Sequence, residues 1–174
     1  MLIRKNGSDT AIVVLHEIYG INLHIREVCN SFYQDGYDVY CPNLLNREPF
    51  SEEVQEQAYL FFNRQIGFEV SGRVMRIIKR IRPYYVRVIL LGYSIGATLA
   101  WLCSKSGLCD CVICCYGSRI RDYLSVAPQC PALLIFARYD SFGVQSASDA
   151  LHGGNVTVHI LQAEHGFLNP YAQS

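Results

Sequence analysis

Six short apolar runs punctuate the chain: Ala11 to Leu15, Tyr37 to Cys41, Val86 to Leu91, Cys111 to Cys115, Ala132 to Ala137 and Val156 to Leu161. Most are near-continuous rather than alternating, as in strands buried on both faces of a parallel sheet. The stretches between them have helical spacing. Ile25, Val28, Cys29 and Phe32 fall on one face, with Asn22 placed to cap the start and Gly36 beyond the end. Val54, Ala58, Phe61 and Phe62 repeat the pattern behind Ser51, with Glu52 and Glu53 in the first turn. Val70, Val74, Ile77, Ile78 and Ile81 make a third stripe, stopped by Pro83. From Ile95 to Ser106 the residues are mostly small or apolar, and Gly107 ends the run. Strands alternating with such helices require right-handed crossovers. The predicted architecture is α/β, a doubly wound, mostly parallel sheet of about six strands with helices on both faces.

Composition narrows the class. The chain has 174 residues, 51% of them hydrophobic, which fits one domain over 1–174. Lys+Arg and Asp+Glu number 15 each, and a nucleic-acid binder would show a basic excess or stripe. No apolar run approaches the ~20 residues that span a bilayer, and the N-terminus lacks the pattern of a secretory signal. These features predict a cytoplasmic protein with no nucleic-acid or membrane partner. Eight cysteines without a secretory context read as reduced thiols. Four of them, Cys109, Cys111, Cys114 and Cys115, cluster in and beside one strand run. Alternate strand side chains point to opposite faces, so these sulfurs read as small packing groups and not as a metal site. Arg73, Arg76, Lys79, Arg80 and Arg82 lie opposite the third stripe and read as a solvated helix face.

The chemistry-bearing signal is Gly92-Tyr93-Ser94-Ile95-Gly96, between a predicted strand and a predicted helix. A G-x-S-x-G elbow needs that context. The serine sits on a strained strand-to-helix turn, and the residues two before and two after it must lack bulk. The turn lifts the hydroxyl to the carboxyl end of the strand and aims helix N–H groups at the same point. A base and its orienter should follow in the order Asp or Glu, then His. Asp140 comes just after the Ala132–Ala137 run and His165 just after the Val156–Leu161 run, so all three fall on one sheet rim. His16, His24, His152 and His159 read as structural or surface residues. The segment His16-Glu17-Ile18-Tyr19-Gly20 follows the first strand, where this fold supplies a second oxyanion donor. Glu17 is expected at the rim near Ser94.

Together these segments, with Cys115-Tyr116-Gly117, Pro131-Ala132-Leu133 and His165-Gly166-Phe167, resemble the dienelactone hydrolase family in order and spacing. The resemblance implies an α/β-hydrolase core without metal or organic cofactor. It implies a triad of Ser94, Asp140 and His165, with the Ile18 and Ile95 N–H groups as the oxyanion hole. In the family, the glutamate matching Glu17 lies beside the nucleophile and affects its activation. Glu17, Tyr19, Tyr93 and Tyr116 are expected to bind substrate. The chain departs from the founding enzymes in three ways. Ser94 stands where they use cysteine. Asn169 and Leu60 stand where they clamp a substrate carboxylate with arginines, Arg64 being the nearest substitute. The chain also starts at what would be the third strand of the full fold and stops nine residues after His165.

The expected activity is hydrolysis of a small carboxylic ester or lactone through an acyl-enzyme, with neutral substrates favoured. Two alternatives stay open: a thioesterase or lysophospholipase-like acyl hydrolase, and a non-catalytic remnant that binds a ligand or partner. The short C-terminal end predicts a bare sheet face, covered by self-association as a twofold homodimer.

Overall fold

A computed structural model describes residues 1–151 and 153–172; the reading of His152 lies outside them. Seven strands form one sheet: β1 (Leu2–Arg4), β2 (Thr10–Leu15), β3 (Asp38–Cys41), β4 (Arg87–Tyr93), β5 (Cys111–Cys115), β6 (Ala132–Ala137) and β7 (Val156–Leu161). Their spatial order is β1-β3-β2-β4-β5-β6-β7. Only β1 is antiparallel, with Leu2 opposite Cys41 and Arg4 opposite Val39. It is the strand that the apolar runs did not predict. Its residues are half-buried to exposed, so backbone pairing to β3 defines it and not burial.

The helices are α1 (Leu23–Gln34), α2 (Gln55–Phe61), α3 (Ser71–Ile81), α4 (Ile95–Cys103) and α5 (Val144–Ala150). Asn22 caps α1, its side chain accepting the Ile25 N–H at 3.1 Å. The predicted second helix begins as a short 3₁₀ turn over Glu52–Val54 and passes from α2 into a π turn at Phe62–Ile66. One sheet face buries Ile12, Val14 and Val39 against Ile25 and Cys29 of α1. The other buries Val13, Leu15, Leu90 and Val112 with Val74 and Ile78 of α3 and Leu99 and Trp101 of α4. A third, smaller cluster joins Ile18 and Ile95 to Leu45, Ala58 and Phe62. It seats α2 on the carboxyl end of the sheet.

β7 differs from its expected burial on both faces. Val156, Val158 and Ile160 pack against the core, while Thr157, His159 and Leu161 are exposed. The strand lies at the sheet's edge beside β6, away from α1, which packs against β1, β2 and β3, and one row of its side chains meets solvent. All eight cysteines are free, and Cys109 and Cys130 bring their Sγ atoms to 3.9 Å. The arginine-rich face of α3 is partly tied down. Arg73 donates to the Asn43 carbonyl at 2.6 Å, and Arg82 pairs with Asp110 at 2.8 Å. Among the described residues no helix is long and apolar enough to cross a membrane.

The sheet order fixes where chemistry can gather. β2 has β3 on one side and β4 on the other, so the connections run in opposite directions and open a crevice between their carboxyl ends. The segment after β2 carries Glu17 and Ile18, and the turn after β4 carries Ser94.

Candidate active site

Ser94 occupies the turn between β4 and α4 with φ 52° and ψ −113°, a conformation that costs a non-glycine residue about 1–3 kcal/mol. The flanking glycines are required by space. A Cβ on Gly92 would collide with the Gly96 carbonyl, and one on Gly96 with the Leu15 carbonyl. The Ser94 N–H donates to the Cys115 carbonyl at 2.9 Å, which ties the turn to β5.

Ser94 Oγ lies 3.0 Å from His165 Nε2, and His165 Nδ1 lies 2.7 Å from Asp140 Oδ2. The Ser141 N–H donates to Asp140 Oδ1 at 2.8 Å. Burial alone would raise the Asp140 carboxyl. The His165 hydrogen bond and charge, the Ser141 N–H and the Arg121 guanidinium outweigh it and hold the group below its ordinary value. The edge of the Tyr116 ring supports the imidazole, with ring centres 5.2 Å apart.

Two cavities meet at Ser94 and His165. The larger, about 430 Å³, is walled by Ile18, Tyr59, Ile95, Arg119, Arg121 and Tyr139. The smaller, about 210 Å³, is walled by Glu17, Tyr19, Glu52, Glu53 and Asn169. Of the residues expected at the site, Ile18, Ile95, Glu17 and Tyr19 line these cavities with Ser94, Asp140 and His165. Tyr93 and Tyr116 do not. Both are buried behind the wall, their ring centres 6.0 Å apart, where the carboxyl ends of β4 and β5 meet helix α1. Leu60 and Arg64 are exposed and also off both walls.

Glu17 is buried, and its carboxylate accepts the Tyr116 hydroxyl and the Asn169 amide, each at 3.1 Å. The same amide reaches Glu52 Oε1 at 3.2 Å. Burial pushes the Glu17 carboxyl up to about 7; Tyr116, His165 and Asn169 pull it down, and Glu52 pushes it further up. His16 has a different fate. Its Nδ1–H donates to the Glu17 carbonyl at 2.6 Å and its Nε2 accepts the Leu44 N–H at 2.9 Å. Burial lowers its pKa to about 4, so it is neutral and holds the loop after β3.

Arg119, Arg121 and Glu52 were not among the expected site residues. The two arginines had a usable signal, since they follow the strand end at Tyr116-Gly117 on the same rim. Glu52 had none, because Asn169, its partner across the site, lies 117 positions away.

The chain matches the model of the dienelactone hydrolase family over residues 1–174. It is 35% identical over 165 residues to the uncharacterized protein YczH of Bacillus subtilis, a match covering 91% of this chain and 81% of that one. It is 31% identical to the carboxymethylenebutenolidase of Pseudomonas putida over 75% of this chain and 61% of that protein, so it spans less than two thirds of that relative. The solved dienelactone hydrolase of Anabaena variabilis superposes with a TM-score of 0.73 at 20% identity, over 97% of this chain and 82% of that one.

Proposed function

This chain belongs to the dienelactone hydrolase family, and we propose that it is a cofactor-independent serine hydrolase of small carboxylic esters or lactones. The observation that carries the reading is the hydrogen-bonded run from Ser94 Oγ through His165 to Asp140, at 3.0 and 2.7 Å, opening on a cavity. His165 Nε2 takes the Ser94 proton as Oγ attacks the carbonyl carbon. Asp140 accepts the Nδ1–H, keeps the useful tautomer and stabilises the imidazolium that forms. The Ile18 and Ile95 N–H groups receive the oxyanion. His165 then returns the proton to the leaving alkoxide, and water, activated by the same imidazole, cleaves the acyl-enzyme. Glu17 stays outside the proton path and sets the local charge beside His165. The name of the Pseudomonas putida relative supports including lactones among the substrates.

The test is Ser94→Ala. Loss of a triad nucleophile should lower kcat on short esters by on the order of 10⁶. Turnover that survives the substitution contradicts the assignment.

A further inference from the structure

A third cavity, about 530 Å³, lies where β1, the first turn of α1 and the segment after β3 meet. It shares no lining residue with the two cavities at Ser94. Arg4, Arg26 and Arg47 line it, and Glu48 is the one acidic side chain on its wall. Among the described residues none of these three guanidiniums has a carboxylate within ion-pair distance. Each donates instead to a main-chain carbonyl. Arg4 Nη1 reaches that of Ile3 at 3.3 Å, Arg26 Nε that of Ile21 at 3.2 Å and Arg47 Nε that of Glu48 at 3.1 Å. The Arg47 guanidinium also lies 3.7 Å from the centre of the Phe50 ring. These contacts restrain the side chains but take few of the five N–H donors on each guanidinium. The Nη groups of Arg26 and Arg47 keep all of theirs. The rest of the wall is partly apolar, with Ile21 buried and Leu2 and Pro49 half-buried.

We propose that this cavity is a binding site for a small organic phosphate monoester, separate from the catalytic site. Charge selects the headgroup. Three arginines against one glutamate leave the wall with an excess of two positive charges. A phosphate monoester carries about −1.5 to −2 at neutral pH, whereas a carboxylate carries a single negative charge. The excess is local, because the whole chain has 15 basic and 15 acidic side chains. Guanidinium groups match phosphate oxygens through charge-assisted, bidentate bonds. Leu2, Ile21 and Pro49 offer apolar surface to the organic body, which inorganic phosphate lacks. The three arginines and Glu48 are exposed, so the attraction is one that salt screens.

The experiment is calorimetric titration of the whole protein with phenyl phosphate, inorganic phosphate and benzoate at neutral pH and low ionic strength. Phenyl phosphate should bind at one saturable site, at least about threefold more tightly than either other probe. About 1 M salt should abolish most of that binding. The Arg26→Gln/Arg47→Gln double variant should weaken it by about tenfold. Glu48→Gln removes the opposing charge from an exposed position and should tighten it by about threefold. The two changes have opposite signs, so Glu48→Gln keeps the proposal falsifiable if the double variant folds poorly. No saturable binding of phenyl phosphate overturns the proposal, as does an affinity that neither substitution changes in folded protein. Binding of inorganic phosphate or benzoate as tight as that of phenyl phosphate overturns the assignment to a monoester. Ester turnover is measured separately, and neither its presence nor its absence decides this site.

Discussion

Two buried carboxylates stand at opposite ends of the sheet, Asp38 at the amino end of β3 and Glu17 just past the carboxyl end of β2, and they meet opposite electrostatic fates. Asp38 is 2% exposed and Glu17 4%. Asp38 Oδ1 accepts the N–H groups of Asn6, Gly7 and Ser8 at 2.7, 2.9 and 3.1 Å, and Oδ2 accepts the Tyr85 hydroxyl at 2.6 Å. Burial alone would raise this carboxyl, but the four donors hold it below its ordinary value. Glu17 has two donors and shares one of them with a second carboxylate, so burial wins. Desolvation opposes both charges and weighs more heavily on Glu17, while Asp38 has more donors, so the two carboxyls shift in opposite directions. At the amino end the carboxylate closes the fold and is saturated. Beside Ser94 it is left near balance at neutral pH, where small changes alter its charge.

Asp140 is a third carboxylate, and its removal should give the largest effect. Asp140→Asn should lower kcat by on the order of 10⁴ with the fold intact, because the wrong imidazole tautomer is held. Near-normal turnover in steady-state assays would pass the orienting role to another carboxylate, such as Glu164. Asp38→Ala comes next and acts on stability. It leaves three N–H groups and a hydroxyl without their acceptor, at about 1–3 kcal/mol each before relaxation. Urea unfolding should show a loss of about 3–5 kcal/mol, with kcat per folded molecule unchanged. A loss below about 1 kcal/mol would mean that water replaces the carboxylate and that saturation is not what matters.

Glu17→Gln should have the smallest effect, with a pH signature opposite to that of Asp38. The Glu17 carboxyl rises from 4.5 to about 7 on folding, so the folded state binds its proton more tightly. That contribution is complete below 4.5 and is lost as pH rises through about 7. The depressed Asp38 carboxyl contributes above its ordinary value of 3.8 and loses that contribution in acid. Glu17→Gln should therefore change unfolding free energy little near about pH 5 and raise it by about 2–3 kcal/mol near about pH 8. An equal change at both pH values would contradict the balance described for Glu17.

Much of this arrangement was legible in the sequence, for particular reasons. β2 to β6 announce themselves because central parallel strands must be apolar on both faces. β1 carries no such mark, since three half-exposed residues become a strand only through backbone pairing to β3. β7 spells V-T-V-H-I-L, an edge alternation hidden by its β-branched residues. α5 is hard to foresee because its buried stripe, Val144, Ala147 and Ser148, is short and carries one sizeable apolar side chain. Ser94, Asp140 and His165 were found because each directly follows a strand, so the sheet alone brings them to one rim. Tyr93 and Tyr116 were misplaced by the same rule, which puts a residue at the rim without saying which way its ring turns. The Glu17–Asn169–Glu52 bridge and the arginine-bearing wall depend on how loops from distant parts of the chain pack sideways, and no local pattern encodes that.

We propose that Ser94 is a nucleophile made reactive by His165 and Asp140. The most direct measurement is peptide mapping by mass spectrometry after treatment of the intact protein with a fluorophosphonate. One adduct should form, on Ser94, absent from Ser94→Ala and formed far more slowly in Asp140→Asn. An unlabelled protein, or an adduct on any other residue with Ser94 unmodified, would contradict it.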